Sequence, residues 1–212
     1  MTDLNDFPDP ETADPDGLVA ITGDLSPDRL LAAYQAGIFP WFREAGFVFW
    51  FCPPQRLILF PEEIKVSHSM KQVIHSGKFR ITADQAFDQV ITGCAEYHQA
   101  TKSRTWIDPA FIEAYRKMHE LGYAHSIEVW EEDELAGGLY GHATGRVFSG
   151  ESMFSRVSNA SKLALIHLCR SSHYKMIDCQ VPTQHLIRMG ARVVRRDQFL
   201  KLLAAFRDQP RD

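Results

Sequence analysis

Three strand-patterned segments follow one another with no helix between them: HSIEVWEE (125–132), ELAGGLYGHA (134–143) and GRVFSG (145–150). They constrain this chain more than any other feature. Tight Glu-Asp and Thr-Gly turns join them, and connections that short allow only antiparallel pairing. Upstream, FRIT (79–82) reads as a strand. Asp84 reads as the cap of a helix carrying Phe87, Val90, Ile91 and Cys94 on one face. Asp108-Pro109 opens a second helix with Phe111, Ile112, Tyr115 and Met118 inward and Gly122 at its end. Downstream come a helix over 159–172, the strand KMIDCQV (175–181), a short helix from Gln184 to Met189, the strand ARVVR (191–195) and a last helix capped by Asp197. From residue 79 the order is therefore β-α-α-β-β-β-α-β-α-β-α. Three antiparallel strands followed by right-handed crossovers predict a mixed sheet.

Before residue 79 the pattern differs. Ser26 reads as an N-cap, Pro27 as the first helical residue and Gly37 as the stop of a helix near 27–36. FVFWF (47–51) and RLILF (56–60) read as short strands around Pro53 and Pro54, and SHSMKQVIHSG as a short helix ending at Gly77. The predicted organisation is a disordered acidic tail over 1–16, a small α+β domain over 17–62 and a larger domain over 63–212. The fold class is α+β. The larger domain's order resembles the GNAT-like acyltransferase fold, in which the fourth and fifth strands splay apart and the acyl donor and acceptor meet between their ends. Here those strands are GRVFSG and KMIDCQV.

Composition excludes several classes. No apolar run approaches the ~18 residues of a membrane span, and the acidic N-terminus has no apolar stretch of a signal peptide. A cytoplasmic location is expected. Cys52, Cys94, Cys169 and Cys179 are far apart and read as free thiols. The nine histidines form no ligand motif, so no metal and no cofactor are expected. Net charge is −4, but the first 16 residues hold six acids and no base, which leaves residues 17–212 with 23 basic and 21 acidic side chains. The remainder is mildly basic, and its distribution matters more than its sum.

Chemistry concentrates at the expected splay. Glu151 lies at the end of the fourth strand; Asp178 and Gln180 are two apart on the fifth and so would share a face. The three form either a catalytic group or a hydrogen-bonded polar cluster in the core. A CoA-dependent GNAT enzyme carries a glycine-rich pyrophosphate loop before the next helix. That segment here, SRVSNASK (155–162), has no glycine. A different activated acyl group is indicated.

The stretches GDLSPDRLLAAYQAGIFPWF, CPPQR, TWI (105–107), HELGYAHSIEVWEEDELAGGLYG, SGESMFSR, NASK and IDCQV together resemble the bacterial leucyl/phenylalanyl-tRNA–protein transferases. The resemblance covers most of residues 17–200. One departure is Trp50-Phe51 where the family has a Trp-Trp pair. The resemblance implies transfer of Leu, Phe and less readily Met from aminoacyl-tRNA to proteins beginning with Arg or Lys, marking them for degradation. It also implies a catalytic part for Asp178 and Gln180, chemical or by positioning alone; Glu151 is expected to hold an ammonium, either the acceptor's or that of the bound aminoacyl group. An apolar donor pocket is expected from Leu139, Met153, Phe154 and Leu168, each of which is otherwise core. Trp50 and Trp106 are expected either as stacking platforms for the terminal adenine or as core. Lys65, Lys71, Lys78 and Arg80 are expected to bind tRNA phosphates, with Arg188, Arg192, Arg195 and Arg196 as a second basic group or a solvated face. The partners are leucyl-tRNA, phenylalanyl-tRNA and substrate proteins, with no membrane, and the chain is expected to be a monomer. The competing readings are a CoA-dependent acetyltransferase, a non-catalytic tRNA-binding module and a peptidoglycan-type aminoacyltransferase.

Overall fold

The computed structural model describes residues 7–102 and 105–210. Strands β1 (Leu18–Thr22), β2 (Phe39–Glu44) and β3 (Phe47–Phe51) form an antiparallel sheet in the order β1-β3-β2, next to helix α1 (Pro27–Gln35). Ser26 caps α1 by accepting from the Arg29 amide at 3.3 Å, and Pro27 takes the first turn, where its missing N–H costs nothing. Gly37 ends the helix at φ 78°, and a Cβ there would lie 2.7 Å from Leu200.

The second sheet has seven strands. After β4 (Gln55–Leu59) come α2 (His68–His75), β5 (Phe79–Ala83), α3 (Phe87–Lys102), α4 (Pro109–Glu120), β6 (Ala124–Glu131), β7 (Glu134–Thr144) and β8 (Val147–Ser155). Then follow α5 (Ala160–Arg170), β9 (Met176–Asp178), α6 (Gln184–Arg188), β10 (Arg192–Arg195) and α7 (Arg196–Phe206). The element order from residue 79 is the expected one. The sheet order is β10-β4-β9-β8-β7-β6-β5, with β8 and β9 parallel and every other pair antiparallel. A mixed sheet beside a small antiparallel one is the α+β, GNAT-like arrangement read from the sequence.

Several local expectations need correction. RLILF does not stay with the N-terminal strands: β4 inserts between β9 and β10 of the large sheet. Arg56, Leu57, Ile58 and Leu59 are all buried, as suits a central strand covered on both faces. The N-terminal module also has no core of its own. Leu30, Tyr34 and Trp50 pack in one cluster with Phe87, Phe111 and Tyr115 of α3 and α4. Residues 1–6 lie outside the described residues, but within residues 7–16, expected to be disordered, Pro10–Thr12 form a 3-10 turn and Phe7 is packed. Phe7 lies edge-on to Trp50 at 5.0 Å, with the Arg29 guanidinium 3.7 Å over its ring. One aromatic side chain anchors a segment whose overall composition is polar. Asp84 does not cap α3. It has φ 57° and accepts from the Ser126 amide and His125 Nδ1, both at 2.8 Å, which ties the end of β5 to β6. Asp197 sits inside α7 and pairs with Arg195, the actual cap position.

Helices α3 and α4 cover one face of the large sheet, and α2 and α5 the other. Along β7, Leu139 and Tyr140 alternate between the two clusters, as strand periodicity requires. No helix among the described residues is long and apolar enough to cross a membrane.

Candidate active site

Strands β8 and β9 pair only through Val147–Met176, Phe148–Ile177 and Ser149–Asp178. Beyond that point β9 ends, while β8 continues to Ser155 along β7. The gap between the diverging strands opens a cavity of about 640 Å³.

Glu151 is placed at this gap by a β-bulge. Tyr140 of β7 faces Ser152, but Gly141 faces Gly150, so Glu151 is the extra residue without a partner. Such a bulge re-aims one side chain out of the regular alternation. Gly141 makes it feasible, because a Cβ there would lie 2.2 Å from the Ser149 carbonyl oxygen. Glu151 is 8% exposed. Its Oε1 accepts from the Tyr34 hydroxyl of α1 and from Gln180 Nε2, each at 2.7 Å. Tyr115 of α4 hydrogen-bonds the Tyr34 hydroxyl. Burial pushes the Glu151 carboxyl up to about 7; the hydroxyls of Tyr34 and Tyr115 and the Gln180 amide pull down, and the Asp178 charge adds to the rise.

Asp178 has a different environment. Its two oxygens accept from Arg56 Nε at 2.8 Å and Nη2 at 2.7 Å, a bidentate pair with both side chains almost fully buried. The guanidinium lies between the rings of Phe39 and Phe199, at 4.6 and 4.4 Å. Asp178 does not touch the Gln180 side chain. It accepts from the Gln180 backbone amide at 2.9 Å. The expectation that Asp178 and Gln180 share a strand face fails because β9 stops at Asp178 and Gln180 adopts φ 61°. This left-handed backbone is uncommon for a residue with a Cβ. It is held by Asp178 and by β4, where Leu57 accepts from the Cys179 amide and donates to the Gln180 carbonyl. The turn points the Gln180 side chain back to Glu151.

Leu139, Met153, Phe154 and Leu168 all line the cavity, with Phe148, Leu165 and Ile177. Trp106 lines it too, half-buried and edge-on to Phe111 at 5.4 Å. Trp50 does not. It is fully buried in β3, and its indole nitrogen donates to Thr22 Oγ1 at 2.8 Å. Its place at the cavity is taken by Trp41 of β2, which is 37% exposed and which the sequence reading missed. Tyr34, Tyr115 and Arg56 were missed as site residues as well. The two tyrosines occupy apolar helix faces, where periodicity assigns them to packing, and Arg56 sits inside an otherwise apolar strand.

None of Lys65, Lys71, Lys78 and Arg80 lines the cavity. Lys65 and Lys71 are exposed. Lys78 pairs with Glu131 at 2.8 Å, and Arg80 lies over the Trp130 ring at 5.1 Å. In the second basic group Arg192 pairs with Glu63, Arg195 with Asp197, and Arg196 donates to the Pro53 carbonyl. In the segment before α5, Arg156 and Val157 both donate to the Ala136 carbonyl, Ala160 to the Val157 carbonyl and Ser161 to Ser155 Oγ. No group of three or more His, Cys, Asp or Glu among the described residues is arranged to hold a metal ion.

Residues 58–204 match the family described as leucyl/phenylalanyl-tRNA protein transferase, and residues 23–54 match its N-terminal domain. A leucyl/phenylalanyl-tRNA–protein transferase of Syntrophobacter fumaroxidans is 52% identical over 201 residues, covering 93% of this chain and 86% of that protein. Another from Nitrosomonas eutropha is 48% identical, covering 96% and 89%. In fold, the chain is similar to the crystal structure of FemX, with a TM-score of 0.50 at 9% identity over 83% of this chain and 70% of that one.

Proposed function

Because the chain belongs to the leucyl/phenylalanyl-tRNA–protein transferase family and is thus an aminoacyltransferase, we propose that it moves Leu or Phe, and less readily Met, from aminoacyl-tRNA to the N-terminal amine of proteins beginning with Arg or Lys, marking them for degradation. The observation that carries this reading is the apolar cavity of about 640 Å³ that meets Glu151 and Gln180 at the β8/β9 splay. Its size suits an amino-acid side chain with the terminal nucleoside. Leu139, Met153, Phe154 and Leu168 form the side-chain pocket, where Met153 adapts to branched, aromatic and linear donors. Trp106 and Trp41 serve as the stacking platform for the terminal adenine. Exposed Lys65 and Lys71 meet tRNA phosphates.

The ester donor is already activated toward amines. An α-amino group with pKa ≈ 7.7–8.0 is partly neutral near pH 7. The enzyme's work is alignment and stabilisation of the tetrahedral oxyanion. With its Nε2 given to Glu151, Gln180 offers its side-chain oxygen to the incoming amine. Asp178 acts behind it by fixing the left-handed turn. The segment 155–162 has no glycine, and its Arg156, Val157 and Ser161 amides are given to protein oxygens, which weighs against the acetyltransferase reading.

The test is incubation with radiolabelled Leu-tRNA and a protein beginning with Arg, without ATP and with a chelator present. Label should appear on the protein's N-terminus. Strict dependence on a metal, or transfer from acetyl-CoA instead, would overturn the reading.

A further inference from the structure

Of the cavity-lining residues described, Glu151 is the only one with a carboxyl group. Gln180, which hydrogen-bonds Glu151 across the splay, is an amide and takes up no proton near neutral pH. Asp178 is sealed behind by Arg56. Glu151 is instead held by neutral donors on two helices, α1 and α4. Tyr34 of α1 donates to its Oε1, and Tyr115 of α4 bonds the Tyr34 hydroxyl and contributes to Glu151 in turn. Neutral hydroxyls fix a carboxylate without cancelling its charge, so it stays free to take a proton.

We propose that Tyr34 and Tyr115 are positioning residues that hold Glu151 as the proton acceptor for the attacking amine. This rests on the transferase reading. The Glu151 carboxylate takes one proton from the acceptor's ammonium. The freed lone pair attacks the ester carbonyl carbon, and the carbonyl π electrons move onto oxygen. As the carbonyl re-forms, the bond from that carbon to the ribose oxygen breaks. The ribose oxygen takes the second proton the nitrogen must lose. Ammonium and ester become amide and ribose hydroxyl, and the first proton leaves Glu151 for solvent.

The groups facing Glu151 come from five elements and the turn after the last of them. They are Tyr34 on α1, Tyr115 on α4, Tyr140 on β7, Arg56 on β4, Asp178 at the end of β9 and Gln180 after it. Further out, His142 stacks on Tyr34 at 4.3 Å, Cys94 neighbours Tyr140, and His98 bonds Ser152 at 2.9 Å. Burial puts the Glu151 carboxyl at about 7, a value suited to a general base at neutral pH. Burial also pushes all three tyrosines well above their usual range, so they stay neutral, and Tyr34 and Tyr115 keep the protons they share.

The experiment compares wild type, Tyr34→Phe, Tyr115→Phe and Glu151→Gln. It measures kcat/KM against pH with a peptide beginning with Arg and two donors, Phe-tRNA and tRNA charged with phenyllactate, which lacks the α-amine. Both hydroxyls favour the ionised carboxylate, so removing either should move the acid limb several tenths of a pH unit upward. KM should change little. Glu151→Gln should lose activity with both donors. The infrared carboxyl band present in wild type and lost in Glu151→Gln should titrate upward in each Tyr→Phe variant, a readout that needs no turnover. An unmoved limb and band would overturn the inference. So would a Glu151→Gln loss confined to Phe-tRNA, which would make Glu151 an anchor for the donor's ammonium. No transfer by wild type would instead remove the reading beneath it.

Discussion

Glu151 and Asp178 are two buried carboxyl groups on either side of one strand splay, and the fold meets the cost of burying them in opposite ways. Asp178 receives a full charge partner, two parallel hydrogen bonds from Arg56, flanked by two aromatic rings. Glu151 receives hydroxyls and an amide but no cation, and its carboxyl rises to about 7. A buried pair of opposite charges is fixed and chemically silent. A buried acid with neutral donors stays titratable where a proton must be exchanged. The splay thus has a sealed side that holds shape and, in the proposed mechanism, an open side that does the chemistry.

The largest effect expected is from Glu151→Gln. It keeps the acceptor for Tyr34 and removes the titration. Transfer should fall by about 10²–10⁴-fold. Stability should move the other way. A carboxyl whose folded pKa is raised contributes stability below its unfolded pKa and loses it as pH rises through about 7. Wild-type Tm should therefore decline between pH 5 and 8 more steeply than that of the variant. Paired melting curves at both pH values check this, and parallel curves would place Glu151 on the sealed side.

Asp178→Asn should invert that pattern. It leaves the Arg56 charge buried without a counter-ion, a loss on the order of 3–5 kcal/mol. Tm should fall, and activity should follow the folded fraction. A double replacement of Arg56 and Asp178 by Met and Leu should recover much of the Tm. An Asp178→Asn protein with wild-type Tm and no kcat would show that both carboxyls belong to the chemistry.

The sequence announces the architecture better than this division. The order of elements from residue 79 follows from periodicity and caps, which are local. Insertion of β4 between β9 and β10 pairs residues more than a hundred positions apart, and no local pattern records it. Glu151, Asp178 and Gln180 stand out as polar residues in apolar surroundings. Their geometry rests on a bulge at Glu151 and a left-handed Gln180, and both were hidden behind an apparent strand alternation. Arg56 is invisible as a partner until β4 is known to lie beside β9.

The two tryptophans extend the contrast. Trp106→Ala should raise KM for aminoacyl-tRNA by about 10- to 100-fold, the equivalent of ~1–3 kcal/mol of base stacking, with a near-normal Tm. Trp50→Ala should instead cost about 3–5 kcal/mol of stability through the void it leaves in the core. Steady-state kinetics beside denaturant titration separates the two. A KM effect in a well-folded Trp50 variant would return that ring to the binding surface.

The smallest expected effect concerns two lysines of one basic segment. Lys71 is exposed on α2, whereas Lys78 already pairs with Glu131 at 2.8 Å. A phosphate contact releases counterions, so each one lost lowers the slope of log affinity against log salt by about 1. Lys71→Ala should show that full reduction in aminoacyl-tRNA binding. Lys78 must first leave its carboxylate, and a half-exposed pair is worth only ~0–1 kcal/mol, so the barrier is small but real. Lys78→Ala should reduce the slope less than Lys71→Ala, and Glu131→Gln should bring Lys78 up to the same effect. The measurement is tRNA affinity from roughly 50 to 200 mM salt for the three variants. Equal slopes for both lysines would mean that the ion pair does not set Lys78 aside. Unchanged slopes throughout would move the phosphate path to another cationic surface, such as the one where Lys162 and Arg188 flank His185 at the cavity rim.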